Sequence, residues 1–218
     1  MAEAIFLSAG VPDPKRGPAY AETADTVAIT SAVSALAYVT LGRRPLVWGG
    51  HPAITPMILV MAEDMNVDYA EWVTLYQSEV FRDEFPEDNK RFRNVVFTAN
   101  LKGDREASLD LMRERMFTEN QFKAAVFIGG MGGIVTEYEM FKKIQPDAKV
   151  IPVTSTGGAS LEVAARMGDV SSDFLLERDY VALFHEHLDI SVSEQRYKIP
   201  AEQPTTIEDR YWRRGDQR

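Results

Sequence analysis

The feature that most constrains this chain is its rhythm. Short β-branched apolar runs alternate with longer segments of helical period. The strand-like runs are residues 4–7, 45–48, 72–76, Asn94–Thr98, 124–128 and 150–153. Helix candidates lie between them at 23–41, 54–65, 104–117, 134–143, Ala159–Met167 and 179–188. In 104–117 the apolar residues Leu109, Met112 and Met116 fall at spacings of three and four, one face of a helix. This β-α-β-α order predicts an α/β fold, a Rossmann-like three-layer sandwich with a mostly parallel sheet and helices on both faces. The run KAAVFIGG is apolar throughout and fits a central strand covered on both sides.

At 218 residues the chain suits one sizeable domain, expected over residues 1–190. The connection 78–94 is long and charged, with Arg82, Lys90, Arg91 and Arg93 among acidic residues. It reads as a lid or an interface loop. Residues 191–218 read as a tail. Its Tyr197 and its Tyr211-Trp212-Arg213-Arg214 run suggest a contact with a second copy of the chain. Arg43 and Arg44 precede the second strand, at the sheet edge opposite the strand ends that matter below, and are expected to meet solvent or a partner subunit.

Composition narrows the function. There are 24 Lys and Arg against 33 Asp and Glu, a net charge of −9. That argues against a nucleic-acid partner, which needs clustered cations. It leaves room for a small phosphorylated ligand, because backbone amides bind one without net positive charge. The absence of cysteine excludes disulfides, thiolate metal sites and thiol nucleophiles. Only three histidines are present, and His185 and His187 point to different sides of a helix and read as solvated. No metal and no cofactor are expected. The N-terminus lacks a basic region and reads as a strand. No apolar run is long enough to span a bilayer, so no membrane partner and a cytoplasmic location are expected.

Four of the expected strands end in small, turn-forming residues. The first is followed by Ser8, Ala9 and Gly10. The second is followed by Gly49, Gly50 and His51, and the fifth by Gly129, Gly130, Met131, Gly132 and Gly133. The sixth is followed by Thr154, Ser155, Thr156, Gly157 and Gly158. A parallel sheet brings all four turns to one edge, where open α/β sheets bind ligands. Glycine lets the backbone approach a phosphate, and the next helix offers free amides and a positive dipole end. Their convergence points to a nucleotide or another phosphorylated ligand.

Single residues in these turns carry two readings. His51 is a candidate donor to a phosphate or ribose, or a turn residue. Ser8, Thr154, Ser155 and Thr156 are candidate donors, or helix caps. Asn100, after the fourth strand, is a candidate for reading a base or ribose, or a turn former. At ~100° per residue from Ile134, Tyr138 and Phe141 share its buried face and Glu139 faces solvent. Glu137 falls at the edge of the buried face. It can hold a ribose hydroxyl, act as a general acid or base, or complement the helix dipole.

The segment from Ile128 to Glu137 resembles a motif of the SLOG superfamily, the Rossmann-like group named after Smf/DprA and the LOG phosphoribohydrolases. LOG proteins carry PGGxGTxxE at a strand end. Gly129, Gly130 and Gly132 match its glycines, Ile128 and Gly133 replace its proline and threonine, and Glu137 comes one residue late. FLSAGVPDP, GGHPAITP and TSTGGAS look like the stand-alone or effector-linked SLOG branches of bacterial defence systems. In the LOG branch the glutamate and an upstream arginine support hydrolysis of a nucleotide's N-glycosidic bond. The resemblance implies that part for Glu137, while no arginine stands in a motif that assigns it the other. The defence-type branches imply a binding protein instead. Such a protein senses a nucleotide-derived signal, of ADP-ribose or cyclic type, and couples it to a homo-oligomer or an effector partner. A structural component with a vestigial pocket is the third reading.

Overall fold

The rhythm of the sequence becomes a six-stranded, all-parallel sheet in a computed structural model that describes residues 3–212. The strands are β1 (Ala4–Gly10), β2 (Leu46–Trp48), β3 (Val73–Ser78), β4 (Asn94–Thr98), β5 (Phe122–Gly129) and β6 (Lys149–Val153). Their order is β4-β3-β2-β1-β5-β6. The helices are α1 (Pro18–Thr23), α2 (Thr26–Thr40), α3 (Thr55–Asp64), α4 (Tyr69–Trp72), α5 (Arg105–Thr118), α6 (Gly132–Ile144), α7 (Ala159–Met167), α8 (Ser172–Leu176) and α9 (Tyr180–His187).

Alternate strand residues divide the core into two layers, as the period of two requires. Ile5, Leu7, Trp48, Leu75 and Val126 face α2, α3 and α9, with Ile29, Ile58 and Phe184. Ala4, Phe6, Val47 and Phe127 face α5, α6 and α7, with Met112, Phe141 and Val163. Phe6 lies at the centre of the second layer, 4.9 Å from the Phe117 ring and 5.6 Å from that of Phe141. No described helix is long and apolar enough to cross a membrane.

Three expectations are corrected. The helix expected over 23–41 starts only at Thr26, because Asp25 takes extended backbone and caps α2 by accepting from the amides of Val27 and Ala28, and a short helix not expected from sequence, α1, precedes it. Arg43 and Arg44 do not meet solvent. Arg44 donates to both carboxylate oxygens of the fully buried Glu194, at 2.6 and 3.0 Å, and Arg43 Nε donates to the Glu194 carbonyl at 2.8 Å. Burial, reinforced by Arg196, lowers the Arg43 pKa to about 10. The histidines are not free in solvent either. His185 Nδ1 lies 2.6 Å from the Ile190 carbonyl, and His187 packs edge-on against Phe174.

Glu194 belongs to the tail, whose described part runs back across the amino ends of the strands. Tyr197 N–H donates to the Gly42 carbonyl, and Trp72 Nε1 donates to the carbonyls of Tyr197 and Lys198. Arg213 and Arg214 lie outside the described residues. The long connection forms two 3₁₀ segments, Glu79–Glu84 and Glu87–Arg91, folded over the carboxyl end of β3. Its cations pair locally, Arg82 with Glu79, Lys90 with Glu87, Arg91 with Glu63 and Arg93 with Asp68.

Candidate functional site

The chain runs outward from β1 through β2 and β3 to β4, then returns to place β5 on the other side of β1. The strand order thus reverses between β1 and β5, and such sheets bind ligands outside the carboxyl ends of the strands at a reversal of this kind. Ser8 stands in β1 and Glu137 in α6, the helix that follows β5. Ser8 Oγ donates to Glu137 Oε2 at 2.5 Å. Arg113 enters from α5, with Nε 3.6 Å from Glu137 Oε1 and Nη1 donating to Asp110 Oδ1 at 3.0 Å. The Arg113 and Glu137 side chains are 8% and 17% exposed, so both charges stand largely out of water. Burial pushes the Glu137 carboxyl above the ordinary carboxylate range, against the opposing pull of Arg113 and Ser8.

The glycine turns divide into a frame and a rim. Gly130 has φ +71°, and a Cβ there would overlap the Ile134 side chain. Its N–H donates to the Gly10 carbonyl at 2.7 Å, and its own carbonyl accepts from Ala159 N–H at 3.0 Å. Gly129 N–H donates to Thr156 Oγ1 at 2.9 Å. Gly158, at φ +63°, presses within 2.8 Å of the Gly130 carbonyl at its Cβ position, and Gly157 packs beside it against Thr23. Thr154 Oγ1 donates to the Phe174 carbonyl, and Ser155 Oγ to that of Glu177. The turn after β6 therefore braces the turn after β5, and its hydroxyls have partners inside the protein.

The rim proper is Met131, Gly132 and Gly133. Met131 caps α6 without a side-chain hydrogen bond, which leaves the first-turn amides for another acceptor. A Cβ on Gly133 would meet only Arg113 Nη2, at 3.5 Å. His51 lies across this rim, its ring 3.5 Å from a Cβ position on Gly10. Its Nδ1 accepts from Ala53 N–H at 3.2 Å, so the ring proton sits on Nε2. Burial, with Arg16 nearby, lowers its pKa and keeps the ring neutral. Asn100 is not brought to this group. It follows the far edge strand β4 and accepts from Gly103 N–H at 2.7 Å, closing a turn.

Two adjoining cavities open at the carboxyl ends of β1, β2 and β3, against α5. One, of about 110 Å³, is lined by Ser8, Trp48 and Glu137. The other, of about 180 Å³, is lined by His51, Ser78, Phe81, Phe85 and Asn89. They share Gly49, Gly50, Leu109 and Met112 as walls. A family model described as the SLOG cluster3 family matches residues 19–188. The chain belongs to this family. No curated protein and no solved structure matches it. Membership in a SLOG family suggests a nucleotide-related function.

In this SLOG chain the matched span holds Arg113 and Glu137, while Ser8 and Gly10 precede it. Arg113 is the residue that sequence reasoning left unassigned. A signal was present. Arg113 lies four residues after Leu109 and three before Met116, so it sits on the apolar stripe of α5. An arginine on a buried stripe needs a buried partner, and Glu137 is one. Elsewhere Asp173, Glu186 and His187 bring possible metal-ligand atoms within 4.8 Å of one another. Asp173 and Glu186 are exposed, and Lys149 Nζ lies 3.3 Å from His187 Nδ1, where its charge opposes a cation.

Proposed function

We propose that this protein binds a nucleotide-derived ligand at the carboxyl edge of its sheet and serves as a sensor of it. The amides of Gly132 and Gly133, at the positive end of α6, would take a phosphate. His51 Nε2–H and the Arg113 guanidinium would add donors. Ser8 and Glu137 would hold ribose hydroxyls. The observation that carries the reading is the buried Ser8–Glu137–Arg113 group at the strand reversal, beside free helix-start amides. The turns' resemblance to defence-type SLOG branches supports coupling to an effector or to assembly. Trp212, 59% exposed at the end of the described tail, is the side chain we assign to a contact with a second copy. A ligand that prefers one assembly state shifts the equilibrium by its differential affinity.

A second reading is favoured by one observation, the raised carboxyl of Glu137 with a guanidinium 3.6 Å away. In an N-glycosidase, water adds to the ribose C1′, the bond from C1′ to the base breaks, and the base leaves with a proton. Glu137 would carry that proton between water and base.

One experiment separates the readings. The protein is incubated with nucleoside monophosphates, ADP-ribose and cyclic nucleotides. Melting temperature and chromatographic release of free base are then followed together. A rise in melting temperature without released base is the result expected of the sensor. Base release that disappears in Glu137→Gln establishes the enzyme. No rise and no release with any of these compounds refutes both.

A further inference from the structure

We infer that the open edge strand β4 pairs antiparallel with β4 of a second copy, joining two six-stranded sheets across a twofold axis at Val96. The pairing goes beyond the nucleotide reading and does not depend on any ligand.

The two edges of the sheet are finished differently. At one, residues 150–153 of β6 are all buried, α7 and α8 pack against the strand, and Pro152 lacks a donor. At the other, Thr98 is the one buried residue of β4, and Phe97 is 50% exposed. An edge strand presents unpaired backbone N–H and C=O groups, and proteins blunt it with charge, proline or a bulge. β4 has none of these. Its sequence NVVFT is uncharged and free of proline, and its register on β3 is unbroken from Asn94 to Thr98. The nearest charges, Arg91 and Arg93, precede the strand and pair with Glu63 and Asp68 of their own chain. Arg115 Nη1 donates to the Phe97 carbonyl at 3.3 Å, a long hydrogen bond that a strand amide can replace.

The side chains decide what fits this edge. Val95 and Phe97 share one face of the strand, and Val96 lies on the other. On the Val95 face a groove of about 730 Å³ opens, walled by Phe85, Pro86 and Phe92. A twofold axis at Val96 keeps each residue on its own face. It sets Val95 opposite Phe97 of the second copy, Asn94 opposite Thr98, and Val96 opposite itself. All five residues of each strand are then paired, whereas an axis at Val95 or Phe97 pairs only three. The exposed Phe97 of each copy comes to the groove side of the other, against Val95. Aromatic and β-branched residues facing each other are among the pairs that stabilise sheets. No like charges oppose, since Arg93 falls opposite Ala99. This self-matching selects a second copy over another partner, because one patch serves both sides of a twofold contact.

Sedimentation equilibrium of the full chain measures the dimer, and the lack of cysteine makes one introduced thiol an unambiguous reporter. The parent is expected to dimerise. Phe97→Glu should weaken the dimer at least tenfold. Its circular dichroism should match the parent's, because Phe97 is half exposed. Val96→Cys lies on the axis, within disulfide reach of its counterpart, and mild oxidation should link the two copies. Val60→Cys, 63% exposed on α3, should not link. A parent that stays monomeric at about 100 μM overturns the pairing. So does a Phe97→Glu dimer as tight as the parent's, or a Val96→Cys protein that links no faster than Val60→Cys. A dimer lost in Trp212→Ala and kept in Phe97→Glu overturns it too, while leaving the Trp212 contact standing.

Discussion

Glu137 is held by opposing forces, and pH reveals which dominates. Burial raises its pKa above the ordinary 4.5, while Arg113 and Ser8 pull it down. With a raised value the folded chain binds this proton more tightly than the unfolded chain does. The resulting stabilisation is complete below pH 4.5 and is lost as pH rises through the folded value. Glu137→Gln removes the titration. Relative to the parent, its melting temperature should therefore be more favourable at pH 8 than at pH 4. A difference of the opposite sense would mean that the pairing with Arg113 outweighs burial. The glycines permit a second residue-scale contrast. Gly130→Ala places a methyl group on Ile134 at φ +71° and should cost about 2–4 kcal/mol in urea denaturation. Gly133→Ala meets ordinary contact distances and should stay within about 1 kcal/mol of the parent.

At the scale of elements, periodicity revealed what local chemistry fixes and missed what tertiary contacts fix. The strand at 94–98 was readable as a short β-branched and aromatic run, and the strand at 124–128 and the helix Ala159–Met167 because glycine bounds them. The start of α2 was placed three residues early, since one capping residue, Asp25, decides it. The tail was misleading for a different reason. Its aromatic and charged residues look like an outward-facing set, and only the folded chain reveals that Arg43 and Arg44 converge on Glu194. This buried clasp makes the described tail part of the domain's stability. Glu194→Ala leaves Arg44 buried without its partner and should cost about 3–5 kcal/mol. Urea midpoints of parent and variant, compared at equal slope, would measure it. A loss under about 1 kcal/mol would show that the guanidinium escapes to water.

For the molecule as a whole, the parallel order and the convergence of the turns followed from sequence, because one chain direction and short connections leave few topologies. Which turns face a ligand did not follow, because a glycine that frames a turn and one that lines it look alike in sequence. The fold separates them. The turn after β6 supports the turn after β5, and the open amides are those of α6 at the strand reversal. A ligand bound at that edge, as proposed, would stabilise the whole domain through linkage, by about 2.7 kcal/mol at a hundredfold excess over Kd. For a chain of this length that corresponds to a rise in melting temperature of about 5–10 °C. Gly133→Asp tests the assignment. A carboxylate in the first turn of α6, next to Arg113, suits the free protein, whose melting temperature should hold or rise. The same carboxylate would occupy the place and the charge of the proposed phosphate, so any nucleotide-induced rise should vanish. A Gly133→Asp protein that still shows the parental rise would place the phosphate elsewhere on the sheet edge.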